Sequence, residues 1–563
     1  MQKYLLSLVL FLVLNFNFYA QVHEYHDYHS PLGIPLVLAS NFGELRPNHF
    51  HMGLDFKTNG AIGYNLYSVE EGFVSRVKVS PYGYGKVVYI DHPNGVTSVY
   101  AHCSEFKGGI DSIVRATQIA EQNFVVEIFP KKNEIPVKRG EVIAISGNTG
   151  GSTAPHLHFE LRDTKTEHAL NPLVYGFDME DHKAPEIRGV KIYGLTKDGY
   201  RYPGQAIRRT AQKNGSTYNI SENIISVPAN YLTNSGGLGL AFDVIDRLDG
   251  ANNRCGLYGS YLIVNKDTLF GQKTDRIPFE STRYVNCHKD YKEYAQNKRK
   301  FHKSYKTTEN DLPIYTEDGL GILSAQPGDH FNISYVAFDV KGNTSTISFK
   351  LIVSDGKTTE DESLVVDPSY LQPSQPMLIT DENAEVEFGI GTVYEPMKID
   401  YASIDHSIGD REEPVHKAYR ITVKNPDITV TNYYMEILTA KGKTRALEVE
   451  YDGDLIHCES KYFGSYKLRR DASFPTATPS GFSSSTTGYS KKLMNWRISD
   501  VGSGLADYDL FIDGEWKLVE YEYKTGMITY TRDPEMKGTK ELLLQVKDNC
   551  GNVTEWKSTI EFK

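Results

Sequence analysis

Short segments in which apolar and polar residues alternate, separated by glycine- and asparagine-rich turns, run through most of this sequence. Clear examples are Gly72–Val79, Lys86–Asp91 and residues 96–100. A period of two puts one face of a strand on a core and the other face towards solvent. The 38 tyrosines also favour sheets over helices. We therefore predict a mainly β protein.

The chain has 563 residues, which is too long for one hydrophobic core and suggests three or four domains. Residues 335–344 (YVAFDVKGNT) and 544–554 (LQVKDNCGNVT) resemble each other, since each places an alternating strand before an aspartate and a Gly-Asn turn. Such a hairpin commonly ends an immunoglobulin-like sandwich, although two unrelated hairpins are the alternative. We predict a first domain followed by two or three β-sandwich modules, with these bounds: 21–183, 184–356, 376–471 and 489–563.

The first twenty residues have the shape of a secretory signal peptide, with Lys3, an apolar run over residues 5–14 and Ala20 before Gln21. The apolar run is too short for a typical membrane span. Phe18 stands where a small residue is usual, so an uncleaved anchor is the alternative. We expect export to the periplasm or to the extracellular side of the cell envelope.

The formal net charge of -11 comes without a basic stripe, so the sequence favours no nucleic-acid partner. The five cysteines show no C-x-x-C spacing, which argues against a cysteine zinc site. Cys255 and Cys287 would be able to pair in an oxidising compartment, and buried free thiols are the alternative. His23, His26 and His29 lie three apart, and we interpret them as part of a flexible, solvated N-terminus.

His51 and Asp55 form an H-x-x-x-D motif interrupted by Gly53. Along a straight strand, residues four apart lie roughly 13 Å from each other, too far to share a metal ion. A helix would bring them together, but glycine and the flanking aromatic residues disfavour a helix. Gly53 is expected to let the backbone bend so that the two side chains converge.

The segment 156–161 (HLHFEL) alternates cleanly, so His156, His158 and Glu160 share one strand face. Two imidazoles on one face can reach one metal ion, or one can bind it while the other acts on bound water. Two solvated histidines are the alternative. The preceding loop, residues 146–155 (SGNTGGSTAP), is expected to aim this strand into a cleft. For Glu160 we expect a solvent-facing structural role rather than the orientation of a ligand.

A third motif, Tyr100-Ala101-His102, ends the strand that begins at Val96. Taken together, the three motifs resemble peptidase family M23, the lysostaphin-like or LytM-type endopeptidases. The resemblance covers about residues 48–162. It implies an antiparallel LytM-type β-sheet domain with a groove across it, so the fold class is mainly β with immunoglobulin-like β-sandwich modules after this domain.

The resemblance assigns one Zn²⁺ ion to His51, Asp55 and His158, and it leaves His102 and His156 to act on the water and on the transition state. Two imidazoles and one carboxylate leave zinc an open position, where water becomes a nucleophile at neutral pH. One free histidine would take the water's proton, while the other would stabilise the oxyanion or protonate the leaving amine. Which histidine does which stays open.

The expected function is a zinc metalloendopeptidase that hydrolyses peptide cross-links of bacterial peptidoglycan. We expect D-amino-acid-containing cross-links in a Gram-negative-like cell, and a cell-envelope protein is a further expected partner through the β modules. One alternative is a non-catalytic LytM-like docking protein that activates another cell-wall hydrolase. Another is a carbohydrate-binding β protein with a vestigial hydrolase.

Two features depart from the family pattern. Ala154 stands where the family often has glycine. The segment between His102 and Gly140 is longer than usual, and residues 110–122 within it have the helical spacing of a short helix. We expect this insert to border the cleft.

Overall fold

The computed structural model describes residues 26–359, 369–401, 407–439, 442–483 and 488–563. The predicted signal peptide and His23 lie outside the described residues. Within the described ranges, no helix combines the length and apolar character needed to cross a membrane. Strands dominate the described part of the chain, so the mainly β prediction is confirmed.

The first domain is built on one antiparallel sheet in the order β1-β2-β11-β6-β5-β4-β8, next to a small sheet in the order β3-β10-β7. Its strands are β1 Leu38–Ser40, β2 Leu54–Lys57, β3 Asn65–Tyr67, β4 Gly72–Val79, β5 Lys86–Asp91, β6 Val96–Cys103, β7 Glu105–Phe106, β8 Val126–Ile128, β9 Pro136–Val137, β10 Val142–Ile145, β11 His156–Asp163 and β12 Ala169–Leu170. Its helices are α1 Gly108–Glu121 and α2 Pro172–Tyr175.

The centre of this sheet is buried on both faces. Every residue of β6 is buried, and in β11 only His156 is partly exposed. Leu157, Phe159 and Leu161 join the core on one face, as the alternation predicts. The imidazoles of His156 and His158 are consequently held on the other face of the same strand.

The predicted helix in the insert is confirmed as α1. Ile110, Val114 and Gln118 form its buried side. The helix contacts β4, β7 and β8, and β8 pairs with β4 at the edge of the sheet opposite β2. The expectation that the insert borders the histidine cleft is therefore wrong, because the insert extends the far edge of the sheet.

The second module is the group of strands between residues 186 and 353. It contains a sheet in the order β14-β13-β18-β22 and a larger one that includes β16-β24-β23-β19-β20, and both contribute to one core. Some residues of this stretch pack into the core of the first domain instead, namely Leu248, Cys255, Ile277, Val285, Leu312 and Ile314. The strands of the second module are β13 Glu186–Leu195, β14 Arg201–Thr210, β15 Gln212–Asn214, β16 Thr217–Asn219, β17 Ile224–Val227, β18 Gly237–Ile245, β19 Gly259–Val264, β20 Asp267–Lys273, β21 Arg276–Ile277, β22 Phe301–Lys303, β23 His330–Phe338 and β24 Thr344–Val353. Its helices are α3 Val285–His288, α4 Tyr291–Asn297 and the 3-10 turns Ser221–Asn223, Ala229–Tyr231 and Thr282–Tyr284.

The remaining described residues form two further cores, one within 371–468 and one within 489–562. The strands up to residue 470 are β25 Tyr370–Leu371, β26 Met377–Thr380, β27 Ala384–Phe388, β28 Met397–Lys398, β29 Pro414–Lys424, β30 Tyr433–Leu438, β31 Thr444–Leu447, β32 Glu450–Asp452, β33 Leu455–Tyr462 and β34 Ser465–Arg470. Those that follow are β35 Thr476–Ser480, β36 Leu493–Ser499, β37 Leu505–Ile512, β38 Glu515–Lys517, β39 Val519–Glu522, β40 Met527–Thr531, β41 Gly538–Asp548 and β42 Val553–Phe562.

Both hairpins predicted from the repeated pattern are present, β23 with β24 and β41 with β42. Cys255 and Cys287 are buried free thiols, not a disulfide. His26 and His29 are half-buried and do not belong to a flexible N-terminus. His26 Nε2 lies 2.8 Å from Glu70 Oε2, and Tyr28 between them belongs to the first core.

We expect Phe159→Ala to lower the free energy of unfolding of the first domain by about 3–5 kcal/mol. The Phe159 ring is fully buried, with its centroid 5.3 Å from Tyr100 and 5.1 Å from Phe177, so truncation leaves a cavity. Pulse proteolysis in increasing urea, with the first domain followed by mass spectrometry, measures the loss. Phe129→Ala is the matched control, since Phe129 is 67% exposed. Equal stability of the two variants would contradict the expected core.

Candidate metal centre

Two neighbouring strands bring the first three predicted site residues together. β2 pairs antiparallel with β11 in a register that sets Asp55 directly opposite His158. His51 precedes β2 and reaches the same point, so that His51 Nε2 lies 3.0 Å from Asp55 Oδ1 and 3.1 Å from His158 Nδ1. His158 Nδ1 lies 2.9 Å from Asp55 Oδ1. The three donor atoms therefore form a compact triangle.

This triangle fits a zinc ion. Ligands at about 2.0–2.1 Å in a tetrahedral arrangement lie roughly 3.3 Å from one another, close to the spacing of these donors. Among the described residues, this group of potential ligands has three members, His51, Asp55 and His158. The set of two imidazoles and one carboxylate therefore leaves one tetrahedral position to a non-protein ligand.

Hydrogen bonds on the outer side of each imidazole set its orientation. His51 Nδ1 lies 2.7 Å from the carbonyl oxygen of Asn41 and donates to it, which leaves Nε2 with a free lone pair. His158 Nε2 lies 2.8 Å from Glu160 Oε1 and donates to it, so Nδ1 is the nitrogen that can bind a metal ion once it has lost its proton. Such outer partners fix the tautomer of a metal-binding histidine and raise its basicity.

Gly53 is needed because the backbone lies very close to β11 at this position, and not because its backbone conformation is unusual. A Cβ at this position would lie 2.3 Å from the carbonyl oxygen of Phe159 and 2.8 Å from Glu160 Cγ. Gly53 is not among the glycines with a positive φ. Only a residue without a side chain lets the turn between His51 and β2 lie against β11.

Glu160 is completely buried, so the expected solvent-facing role is wrong. It accepts hydrogen bonds from Tyr84, from His158 and, at 2.7 Å, from Arg162 Nε. Burial favours the neutral acid, but the Arg162 charge and the hydrogen bond from His158 outweigh it and lower the pKa of Glu160 to about 2. The sequence carries a usable signal, because Arg162 lies two residues further along the same strand face.

His102 and His156 lie beside the triangle, with their ring centroids 4.8 Å apart. His102 Nδ1 lies 2.8 Å from the carbonyl oxygen of Thr149, and His156 Nδ1 lies 2.8 Å from that of Ala154. Both carbonyls belong to the loop 146–155, which therefore orients both rings. In the neutral ring that donates through Nδ1, Nε2 is a free acceptor.

His102 is held in its neutral form. Burial lowers its pKa to about 3, and the neighbouring His158 and His156 rings lower it as well. Its backbone φ of 61° is uncommon for a residue other than glycine and is typical of functional or tightly determined positions. The five predicted site residues are thus all brought together at one end of β2, β6 and β11.

The last module touches the rim of this site, which the sequence did not indicate. Lys524 Nζ donates to the carbonyl oxygens of Asn148 and, at 3.2 Å, of Ser152. The rings of Tyr523 and Tyr82 lie 5.0 Å apart. The loop that orients the two histidines is therefore supported from outside the first domain.

We expect zinc affinity to rise about tenfold per pH unit between pH 7 and 8.5. Burial alone would lower the pKa of His158, but its hydrogen bonds to Asp55 and Glu160 raise it to about 9 in the metal-free protein. Zinc must therefore displace a proton from Nδ1, which becomes easier as pH increases. Competition with a chromophoric chelator measures the slope. His102→Ala, outside the donor triangle, should keep the slope, and a flat profile would contradict the expectation.

We also expect Glu160→Gln to weaken zinc binding by about 10–100-fold, because the hydrogen bond to His158 loses its charged acceptor. The same competition assay measures the loss, with circular dichroism to verify folding. Tyr84→Phe is the matched control, since it removes one hydrogen bond to Glu160 and leaves the carboxylate in place. Unchanged affinity in Glu160→Gln would exclude a role for Glu160 in orienting the ligand.

Curated relatives match about a quarter of the chain or less. A DD-carboxypeptidase/endopeptidase (Mpg) of Neisseria meningitidis is 41% identical over 136 residues, covering 23% of this chain and 25% of that protein. A peptidoglycan DD-endopeptidase (ShyB) of Vibrio cholerae is 34% identical over 111 residues, covering 20% of each. This chain therefore spans only a quarter or less of the length of these relatives.

Solved structures give a similar result. The catalytic domain of the prophage-encoded M23 protein EnpA from Enterococcus faecalis is 26% identical to the matched part of this chain. The match covers 28% of this chain and 98% of the EnpA domain, with a TM-score of 0.20. The catalytic domain of lysostaphin from Staphylococcus simulans is 25% identical to the matched part of this chain. The match covers 24% of this chain and 86% of the lysostaphin domain, with a TM-score of 0.18.

The model of peptidase family M23 matches residues 49–123 and 127–172. These residues include His51, Asp55, His102, His156 and His158. The family prediction made from the three motifs is confirmed. The first domain of the chain therefore matches the model of peptidase family M23.

Proposed function

We propose that this protein is a zinc endopeptidase that hydrolyses peptide cross-links in bacterial peptidoglycan. The observation that carries the proposal is the convergence of five side chains on one point, three as a donor triangle and two as adjacent acceptors. A protein that only docks to a partner has no need for this arrangement. The names of the curated relatives, a DD-carboxypeptidase/endopeptidase and a peptidoglycan DD-endopeptidase, support the substrate class.

In this proposal His51, Asp55 and His158 hold the ion, and Glu160 keeps His158 oriented. A bound zinc ion would polarise a water molecule and the scissile carbonyl group. His102 presents Nε2 as an acceptor, because its Nδ1 is engaged by a loop carbonyl. Nδ1 of His156 is engaged in the same way, and its Nε2 lies 3.4 Å from Asp55 Oδ1 in the metal-free protein. One ring takes the proton released by water, and a protonated ring can pass it to the leaving amine.

The substrate and location are proposals as well. Relatives named DD-endopeptidases support cross-links between D-configured centres rather than glycine bridges. The signal-like shape of residues 1–20 supports export to the periplasm or cell envelope. A cell-envelope protein would bind through the β modules, which are outside the matched residues.

A docking protein that activates another hydrolase is the second candidate. It is favoured by the contact between the last module and the loop 146–155, which covers part of the rim of the site. In that case, zinc would be dispensable and the histidines would not turn over substrate. The experiment below separates the two functions.

We expect purified residues 21–563 to release fragments with new free amino ends from intact peptidoglycan. The release should stop with a zinc chelator and fall by about 10²–10⁴-fold in His156→Ala, because proton transfer is lost. Mass spectrometry of the products identifies the bond, and a glycine-bridged peptidoglycan serves as the second substrate. His182→Ala is the matched control, since the His182 side chain is 80% exposed and lies outside the site.

The outcomes distinguish the candidates. Release that survives both the chelator and His156→Ala would refute a metallopeptidase centred on these residues. Absence of release from a folded protein that also binds no zinc would favour the docking function. Cleavage of glycine bridges alone would leave the peptidase intact and overturn the proposed cross-link.

A further inference from the structure

Three aspartates meet where the first domain passes into the second module. Asp181 belongs to the link that precedes β13, Asp246 directly follows β18, and Asp339 directly follows β23. Each of them places a carboxylate oxygen within 4.8 Å of an oxygen from each of the others. Three distant parts of the chain therefore direct like charges at one small volume.

This volume is largely shielded from water. Asp246 is 2% exposed and Asp339 is 5% exposed. Asp246 Oδ1 is buried and has no hydrogen-bond partner among the described residues. A buried carboxylate oxygen without a partner is costly, because folding removes its water and supplies nothing in return. Because the Asp246 carboxylate also comes within 4.8 Å of the other two carboxylates, this unpaired oxygen indicates a missing cationic partner.

The neighbouring basic side chains do not neutralise the cluster. Lys341 pairs with Asp178, while Lys183 lies 3.6 Å from Asp249 Oδ1 and donates to the carbonyl oxygen of Leu248. Within the described ranges, no lysine, arginine or histidine forms an ion pair with any of the three clustered aspartates. The charge of the cluster is thus left for a ligand.

The pKa values of the clustered aspartates are shifted by burial and by their mutual repulsion. Burial raises the pKa of Asp246 to about 8, and the Asp339 and Asp181 carboxylates add to the shift. Burial likewise raises the pKa of Asp181 to about 6. Both shifts have the direction expected of carboxylates that are buried next to other carboxylates.

We propose that Asp181, Asp246 and Asp339 bind a calcium ion. The donors are all carboxylate oxygens, with no imidazole or thiolate among them, and such a set selects hard cations over zinc. Calcium accepts six to eight oxygens in flexible geometry, which suits donors drawn from a link and two strand ends. Water and backbone carbonyls would complete the shell.

The same placement recurs in the last module. Asp471 lies in the link before β35, Asp500 directly follows β36, and Asp548 ends β41, and the three again have oxygens within 4.8 Å of one another. The matching turns, residues 339–343 (DVKGN) and 548–552 (DNCGN), begin with the aspartate and end in Gly-Asn. The arrangement therefore belongs to the architecture of these modules and is not a chance meeting of acids.

A calcium ion at the first cluster would fix the link between the first domain and the second module. Asn343 Nδ2 already donates to the backbone carbonyl oxygen of Asp181 at 3.0 Å and to Asp339 Oδ2 at 2.7 Å. The hairpin turn thus holds the backbone of the link, and the ion would hold its side chain. The expected consequence is calcium-dependent protection of the link.

The test measures cleavage of the full chain after Lys183 by a calcium-independent lysine-specific protease, with and without 1 mM Ca²⁺. We expect calcium to slow cleavage of this bond at least tenfold, and mass spectrometry identifies the bond. Asp246→Asn should abolish the calcium effect. In calcium-free buffer the Asp246→Asn variant should resist cleavage after Lys183 as well as the parent chain does, or better, because the substitution removes repulsion between the carboxylates. A structural role alone would weaken the variant in both buffers.

Asp249→Asn is the matched control, since Asp249 lies three residues away, pairs with His182 and Lys183 and is outside the cluster. It should retain the protection by calcium. Three results would overturn the proposal: no calcium effect on the parent chain, an equal effect in Asp246→Asn, or protection by Mg²⁺ alone. Calorimetric titration with Ca²⁺ checks binding directly, and loss of a binding event in Asp246→Asn alone supports the site.

Discussion

The antiparallel pairing of β2 with β11 is the constraint on which the site depends. Its register sets Asp55 opposite His158, and a shift by one residue would turn one of the two side chains to the core face. Pairing on the other side of β11 aligns β6, whose end carries His102. Gly53 lets the turn before β2 approach β11, and this approach completes the donor triangle with His51. The metal centre is therefore a consequence of strand register.

A buried charge network ties this register to the chemistry. Glu160 is enclosed between His158 and Arg162, and Tyr84 donates to it from the loop between β4 and β5. Breaking a buried ion pair by removing one partner is strongly destabilising, since the other charge stays buried. The network therefore restricts the rotamers of His158 even before a metal ion binds. Orientation and stability depend on the same hydrogen bonds.

The sequence predicted what depends on local pattern. Alternation located β4, β5 and β11 and the two faces of β11, and the three motifs identified the five convergent side chains. It failed for Glu160, because whether a strand face meets water depends on what covers it. Here the cover includes Tyr84, 76 residues away. It also failed for the insert, whose strand β8 pairs with β4 at the far edge. Neither contact leaves a periodic signal in the segment concerned.

The protein handles concentrated negative charge in two ways. At the histidine centre, imidazoles and Arg162 surround Asp55 and Glu160, so each carboxylate has a partner within the chain. At the junction of the first domain and the second module, Asp246 has an unpaired buried oxygen, and its carboxylate lies within 4.8 Å of two other carboxylates. A mixed nitrogen and oxygen set suits a borderline ion, while an all-oxygen set suits a hard one. Donor chemistry therefore assigns the two clusters to different ions, and the second ion would govern how the modules are joined rather than hydrolysis.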